Sequence, residues 1–274
     1  MLNLRRTTIL LALALIAAPA HTATGTTQET PLNCTEAPLI TPDALPQAEL
    51  DGDSIRLLNW NIHKSSQEGW RDDLRRLAAG SDLLLLQEAT LEHGLADAMQ
   101  TPYHSVFAPG YRTADSQSGV MTLSRVPALS HCFLSHQEPW LRTPKATSIS
   151  RFSIAGSDEN LLVVNLHGVN FAIGSESLER QFLDASTQIE RHQGPVIFSG
   201  DFNTWSEERM RRVSKIMTAL QMRPLSFPQD HRKEVFGQPL DHIFVRGLRV
   251  LNTGSSQVDS SDHNPIFATF ALEE

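Results

Sequence analysis

"GPVIFSGDFNTW", residues 194–205, carries an apolar run directly into an aspartate and an asparagine. Pro195 to Phe198 is short, apolar and bounded by Gly194 and Gly200, the composition of a buried strand. Asp201 and Asn203 stand at its carboxyl end. Beyond them Met210, Val213, Ile216 and Leu220 recur at helical spacing. Two readings compete here. Short polar side chains suit a strand-to-helix turn because they satisfy free backbone N–H groups, and Thr204 with Glu207 has the spacing of a capping box. The other reading is chemical: a carboxylate and a carboxamide delivered side by side by one strand.

The same grammar recurs along the chain. "SIRLLNWNI" (54–62) reads as a strand with Asn61 at its carboxyl end, and "SDLLLLQEAT" (81–90) as a buried strand ending on Glu88. "NLLVVNLHGVNF" (160–171) runs into His167. "PLDHIFVRG" (239–247) carries Asp241 just before its apolar run, and "SSDHNPIFATFAL" (260–272) opens with Asp262 and His263. "SGVMTLSR" (118–125) and "ALSHCFLSH" (128–136) read as further strands. Trp70, Leu74 and Leu77 mark one helix, and Leu178, Phe182, Ala185 and Ile189 the apolar face of another.

"LLNWNIHK", a helix and "LLLLQE" parallel "LVVNLHGV", a helix and "VIFSGDFN". Two such halves imply an α/β (α+β) fold of two packed mixed sheets flanked by helices, a four-layer sandwich with the polar strand ends at one rim. A carboxylate at the end of a buried strand is costly to desolvate unless paired or bound to a cation. One such end is usually a cap or a turn. The full set, with Asn and His among the carboxylates and no Lys, reads as a metal and phosphate site.

In chain order, "NWNI", "LQE", "LH", "GDFN", "LDHIF" and "SDHNPI" resemble the motif set of the endonuclease/exonuclease/phosphatase superfamily, from about residue 54 to the end. "GDFN" alone is modestly specific; the ordered set is highly specific. The resemblance implies a four-layer sandwich and water attacking phosphorus in line, assisted by Mg²⁺ or Mn²⁺. It implies that Asn61 and Glu88 hold the metal with Asp262 close by. Asp201 orients or deprotonates the water, and Asn203 donates to phosphoryl oxygens. His263, oriented by Asp241, contacts the phosphate or shuttles a proton, and His167 adds a second imidazole. The residue types suit the chemistry independently: a cation and fixed donors absorb developing charge, and a carboxylate or imidazole takes a proton near neutral pH.

Weaker candidates surround this set. Asn170 is equally a pocket residue or a turn residue. Arg112 in "PGYRTADSQSG" and Lys145 in "WLRTPKATS" fall in expected rim loops, where they either grip substrate phosphate or sit solvated. Strand alternation points His63 and His242 away from the site. Ser199 and Trp205 read as packing or turn residues. In DNase I-like enzymes the imidazole at position 167 has a carboxylate partner, and "SQSGVMTLSR" supplies none. An endonuclease-type nuclease ranks first, a sphingomyelinase-like lipid phosphodiesterase or other phosphatase second, and a binding module without turnover third. The last predicts erosion of the polar set, which is intact.

Bulk properties bound the setting. "MLNLRR" followed by "TTILLALALIAAPA" has the basic head, apolar body and small residues of a secretory signal peptide over 1–20, or of an uncleaved anchor. Residues 21–53 read as a mobile lead-in and 54–274 as the catalytic domain. Export implies a periplasmic or extracellular location. Cys34 and Cys132 are the only cysteines, either a disulfide tying the lead-in to the domain or two buried thiols. The formal charge of −8 becomes −10 once Arg5 and Arg6 are removed. That disfavours a protein that coats nucleic acid through a general field, though not a nuclease with local basic loops. The partner implied is nucleic acid or another phosphodiester. No stable protein partner is implied, and the chain reads as a monomer.

Overall fold

The computed structural model describes residues 32–34, 48–172 and 174–273. The expected signal segment at 1–20 lies outside them. In chain order the strands and helices are β1 (Leu32–Asn33), β2 (Ile55–Asn61), α1 (Trp70–Leu77), β3 (Leu83–Thr90), β4 (His104–Arg112), β5 (Gln117–Ser124) and β6 (Ser130–Gln137). Then come β7 (Pro144–Ser153), β8 (Asn160–His167), α2 (Glu176–Glu190), β9 (Val196–Asp201), α3 (Glu207–Ala219) and β10 (Arg223–Pro224). A small hairpin of β11 (Glu234–Val235) and β12 (Gln238–Pro239) precedes β13 (Asp241–Arg246), β14 (Leu248–Ser255) and β15 (Ile266–Leu272). Among the described residues no helix is long and apolar enough to cross a membrane.

Two mixed sheets form. One has the order β1-β6-β7-β8-β9-β13-β10 and the other β14-β15-β2-β3-β5-β4. Each is built around a single central parallel pair, β8–β9 and β2–β3, joined by α2 and α1 respectively, with antiparallel neighbours on both sides. The two halves legible in the sequence are these two crossovers.

Alternation along the strands produces the layers. Leu57, Leu83, Leu85, Val163, Ile197, Ile243 and Val245 meet between the sheets. Leu58, Trp60, Leu84 and Leu86 face outward onto Leu74 of α1. Leu162, Val164 and Phe198 face outward onto Leu178, Phe182, Val213 and Met217 of α2 and α3. Helix, sheet, sheet and helix are the four layers expected.

The body reaches further back than residue 54. Leu50 is buried, its N–H donates to Ser153 O, and its carbonyl accepts from Ala155. β1 pairs parallel with β6, and Cys34 is disulfide-bonded to Cys132. The expected mobile lead-in is thus anchored at 32–34 and from 48 onward. Arg112 and Lys145 stand on strands rather than in loops, because β4 and β7 extend to them. β4 and β14 escape a periodicity reading because they are half-exposed edge strands.

Candidate active site

Along the inner faces, each central strand changes from apolar to amide or hydroxyl to reactive group at every second residue. β2 reads Leu57, Asn59, Asn61; β8 reads Val163, Asn165, His167; β9 reads Ile197, Ser199, Asp201. The middle tier is hydrogen-bonded. Gln87 Nε2 donates to Asn59 Oδ1 (2.9 Å) and Asn165 Oδ1 (2.6 Å), and Ser199 donates to His242 O (2.9 Å). This tier separates the dry core from the charged rim, so the reactive groups rest on a polar floor.

Register sets the first row of the site. His167 pairs with Asp201 across the parallel β8–β9 ladder, and Asp201 with Asp241 across the antiparallel β9–β13 ladder. Gly200 makes this possible: its φ is +154°, and a Cβ there would lie 1.9 Å from Leu166 O. Phe202 locks the strand end from behind, packed edge-on against Phe182 at 4.9 Å and Phe198 at 5.3 Å. Asn203, at φ +51°, turns back so that its N–H donates to Asp201 Oδ1 at 3.0 Å. The helix begins later. Ser206, not Thr204, is the N-cap of α3, accepting from Arg209 N at 3.3 Å. Thr204 instead donates to Pro239 O at 2.7 Å. Asp201 therefore caps no helix.

Glu88 reaches the site by a different device. Gln87 already faces inward, so alternation would turn Glu88 outward. A bulge between Leu86 and Ala89, with Glu88 at φ +51°, re-aims it. The strand does not end on Glu88 but continues through Thr90. Glu88 Oε1 lies 3.7 Å from His167 Nε2, and Asp201 Oδ2 lies 3.6 Å from the same nitrogen. Asn61 Nδ2 donates to Asp201 Oδ2 at 3.0 Å, and its Oδ1 accepts from His63 N.

Asp262 and His263 precede β15 on the same rim. His263 Nδ1 lies 2.8 Å from Asp241 Oδ2, and its Nε2 lies 3.9 Å from Asp201 Oδ2. Asp262 is half exposed and pairs with His63 Nδ1 at 3.5 Å. His63 thus escapes strand alternation, since β2 has already ended. Alternation holds for His242, which is buried between Thr204 and the backbone of Pro239.

Burial is the largest single influence on His167, Asp201 and His263, and charge decides the outcome only at His263. Burial lowers the affinity of the His263 ring for a proton, but the carboxylates of Asp241 and Asp201 outweigh it and push the pKa up to about 10. His263 is therefore an imidazolium at neutral pH. Burial, then the ammonium of Lys145, holds His167 well below its ordinary pKa, so that ring is neutral. Burial raises Asp201, partly opposed by His263.

The weaker candidates separate. Lys145 lies 2.9 Å from His167 Nε2. Asn170 Oδ1 is taken up by the Trp205 indole N–H at 3.0 Å. Arg112 is exposed at the end of β4, whereas its neighbour Tyr111 lines a cleft of about 450 Å³ with Lys64, Glu88, Lys145, His167 and Phe171. Two residues carried no signal in the sequence. Arg209 is buried and donates to Asn203 O (2.7 Å) and Val169 O, bracing the loops after β9 and β8; burial lowers its pKa to about 10. Glu138 is buried beside Lys145.

Among the described residues, one group of His, Cys, Asp and Glu side chains brings ligand atoms within 4.8 Å of one another: Asp201, Asp241 and His263. Glu88 and Asp262 fall outside it. In that group His263 Nδ1 meets Asp241 Oδ2, while Asp241 Oδ1 is buried without a hydrogen-bond partner. Glu88 and Asp201, both near His167 Nε2, offer carboxylate oxygens of the kind a hard divalent cation takes, and a cation there would offset the cost of burying Asp201.

A two-sheet sandwich with this rim of carboxylates, amides and imidazoles defines the class. The chain belongs to the Endonuclease/Exonuclease/phosphatase family, whose model matches residues 58–263. Members of this family are generally hydrolases of phosphoric esters. Among curated relatives, the UPF0294 protein VP2298 of Vibrio parahaemolyticus is 34% identical over 82% of this chain and 80% of its own length. Among solved structures, the endonuclease/exonuclease/phosphatase from Bacteroides vulgatus superposes with a TM-score of 0.63 at 17% identity, covering 80% of this chain and 99% of that one. The catalytic domain of human Nocturnin gives 0.61 at 17% identity, covering 82% and 97%. At these identities the structural likeness concerns the fold.

Proposed function

We propose that the protein is an exported, divalent-metal-dependent phosphodiester hydrolase, with nucleic acid as its first substrate class. The observation that carries this reading is the convergence of Glu88 and Asp201 on His167 Nε2, with His263 fixed by Asp241 beside them. Glu88 and Asn61 would hold Mg²⁺ or Mn²⁺, which when bound supplies Lewis-acid polarisation of a phosphoryl oxygen. Asp201, a buried carboxylate with a raised pKa, is the group suited to orient water and accept its proton. His263 is held as a cation and serves as a donor to phosphoryl oxygen rather than as a base. Asn203 and Arg209 keep the Asp201 loop in place. The apolar run near the N-terminus and the disulfide between the only two cysteines support export.

A lipid phosphodiester is the second reading. It is favoured by Trp140 (63% exposed), Leu141 (59%) and Phe171 (52%), with Leu141 and Phe171 lining the cleft beside Glu88 and His167. One panel tests both: plasmid DNA, RNA, sphingomyelin vesicles and bis-p-nitrophenyl phosphate, each with Mg²⁺, Mn²⁺ or excess EDTA. Turnover of a diester that EDTA abolishes and Mg²⁺ or Mn²⁺ restores is expected. Full activity in EDTA, or none on any diester, sinks the proposal.

A further inference from the structure

The turn after β6 and the start of β7 each contribute one group to the rim from outside the motif set. Lys145, the second residue of β7, places Nζ 2.9 Å from His167 Nε2 and 3.8 Å from Glu138 Oε1. The Lys145 side chain is 12% exposed and that of Glu138 only 2%. Glu138 Oε1 also accepts the backbone N–H groups of Asn170 (3.1 Å) and Phe171 (3.3 Å). One carboxylate oxygen thereby ties the turn to the loop after β8 and faces the ammonium as well.

An ammonium can only donate, so Nζ–H donates and His167 Nε2 accepts. That nitrogen is the one flanked by Glu88 and Asp201. The open end of a buried ion pair is thus directed at the reacting centre, on the wall of the cleft that Tyr111 and Phe171 line. Burying an ammonium and a carboxylate is expensive, and apolar residues of similar size often stabilise a fold equally well. Packing alone therefore gives little reason for an ion pair here.

We infer that Lys145 is a catalytic anion-binding residue and Glu138 its positioning residue. This rests on the phosphodiester reading above. When a phosphodiester enters, Nζ transfers its donation from His167 Nε2 to a non-bridging phosphoryl oxygen. No covalent bond changes in that step and the ammonium stays charged. Glu138 fixes where the ammonium stands, and through Asn170 and Phe171 it fixes the loop that follows His167. A preorganised cation aimed at developing charge is worth most when partly desolvated.

The test uses the intact protein and the variants Lys145→Met, Lys145→Arg, Glu138→Gln and the double Lys145→Met/Glu138→Gln. Turnover of bis-p-nitrophenyl phosphate is measured with Mg²⁺, and affinity for inorganic phosphate by calorimetry. Lys145→Met should lower kcat by roughly 10²–10³-fold and weaken phosphate by about tenfold or more. Lys145→Arg should recover part of both, which a cavity-filling role would not allow. Glu138→Gln should lower kcat in the parent yet change little in the Lys145→Met background, since it acts through Lys145. Lys145→Met within twofold of the parent in turnover and phosphate affinity overturns the inference while leaving the hydrolase reading intact. Equal Glu138→Gln losses in both backgrounds overturn the role given to Glu138. If the parent hydrolyses no diester, the hydrolase reading fails and phosphate affinity alone decides for or against Lys145.

Discussion

His263 Nδ1 and Asp241 Oδ2 are 2.8 Å apart, both residues are buried, and neither is on a helix. Asp241 opens β13 in register with Asp201, so the same strand pairing that places the proposed base also orients the imidazolium beside it.

Asp241→Asn keeps the shape and removes the charge. The His263 pKa, held at about 10 chiefly by Asp241 against burial, should fall markedly. The sign for stability follows: a raised folded pKa contributes stability that is full below about 6.5 and is lost as pH rises through about 10. The parent should lose stability over that window and Asp241→Asn should flatten the loss. Turnover should fall on the order of 10²-fold or more, as when an orienting carboxylate is lost from an imidazole. Titrating the imidazole Cε1–H resonance by NMR checks the first claim, and an unmoved pKa contradicts it.

Much of this site is legible from residue order alone, for a physical reason. Apolar runs that end in Asn61, His167 and Asp201 lie on strands whose inner faces alternate regularly, so position along the strand fixes direction. Glu88 breaks the rule: the period assigns it to the outer face, and only the bulge returns it to the cleft. His63 breaks it too, because its strand stops at Asn61. Glu138 and Arg209 are invisible for another reason. Their roles come from burial against distant backbone, Asn170 and Phe171 for one and Val169 for the other, which no local pattern records.

His242 supplies an acid-sensitive point unconnected with turnover. Its Nε2 side meets Pro239 O and Thr204, and its Nδ1 faces the Arg232 guanidinium at 3.4 Å. Burial first, and Arg232 second, lower its pKa to about 3. A depressed folded pKa contributes stability that is full above about 6.5 and is lost as pH falls toward about 3. The cost of that descent is on the order of 4 kcal/mol. Urea midpoints at pH 7 and pH 4 should therefore differ less for His242→Gln than for the parent. An equal difference would remove His242 from the account.

The Cys34–Cys132 disulfide spans a sequence separation of 98 and staples β1 to β6. Its restriction of the unfolded chain is worth up to roughly 4–5 kcal/mol in the chain-entropy model. Cys34→Ser/Cys132→Ser should lower the melting temperature while leaving turnover at low temperature near the parent's, since the bond lies at the sheet edge and β7 stands between β6 and β8. A melting temperature unchanged by the double substitution would show that the staple contributes nothing.

Asp201→Asn separates a catalytic carboxylate from a merely structural one. Asp201 accepts from Asn61, from the Asn203 N–H and from Asn203 Nδ2, and lies 3.6 Å from His167 and 3.9 Å from His263. Asn in its place keeps the volume and can still accept from the Asn203 N–H, gives up the bonds that Oδ2 accepts from Asn61 and Asn203 Nδ2, and cannot take a proton from water. The rate should fall by roughly 10²–10⁴-fold, the usual worth of general-base catalysis. Stability should move the other way. Burial raises the folded pKa of Asp201, so the native state resists its ionisation and loses stability as pH rises through that range. The neutral amide removes this cost, and its melting temperature at pH 7 without added metal should equal or exceed the parent's. Slower turnover together with equal or greater stability is the pattern of a group held for chemistry. Near-normal turnover with lower stability would instead make Asp201 a structural brace of the "SGDFNTW" turn.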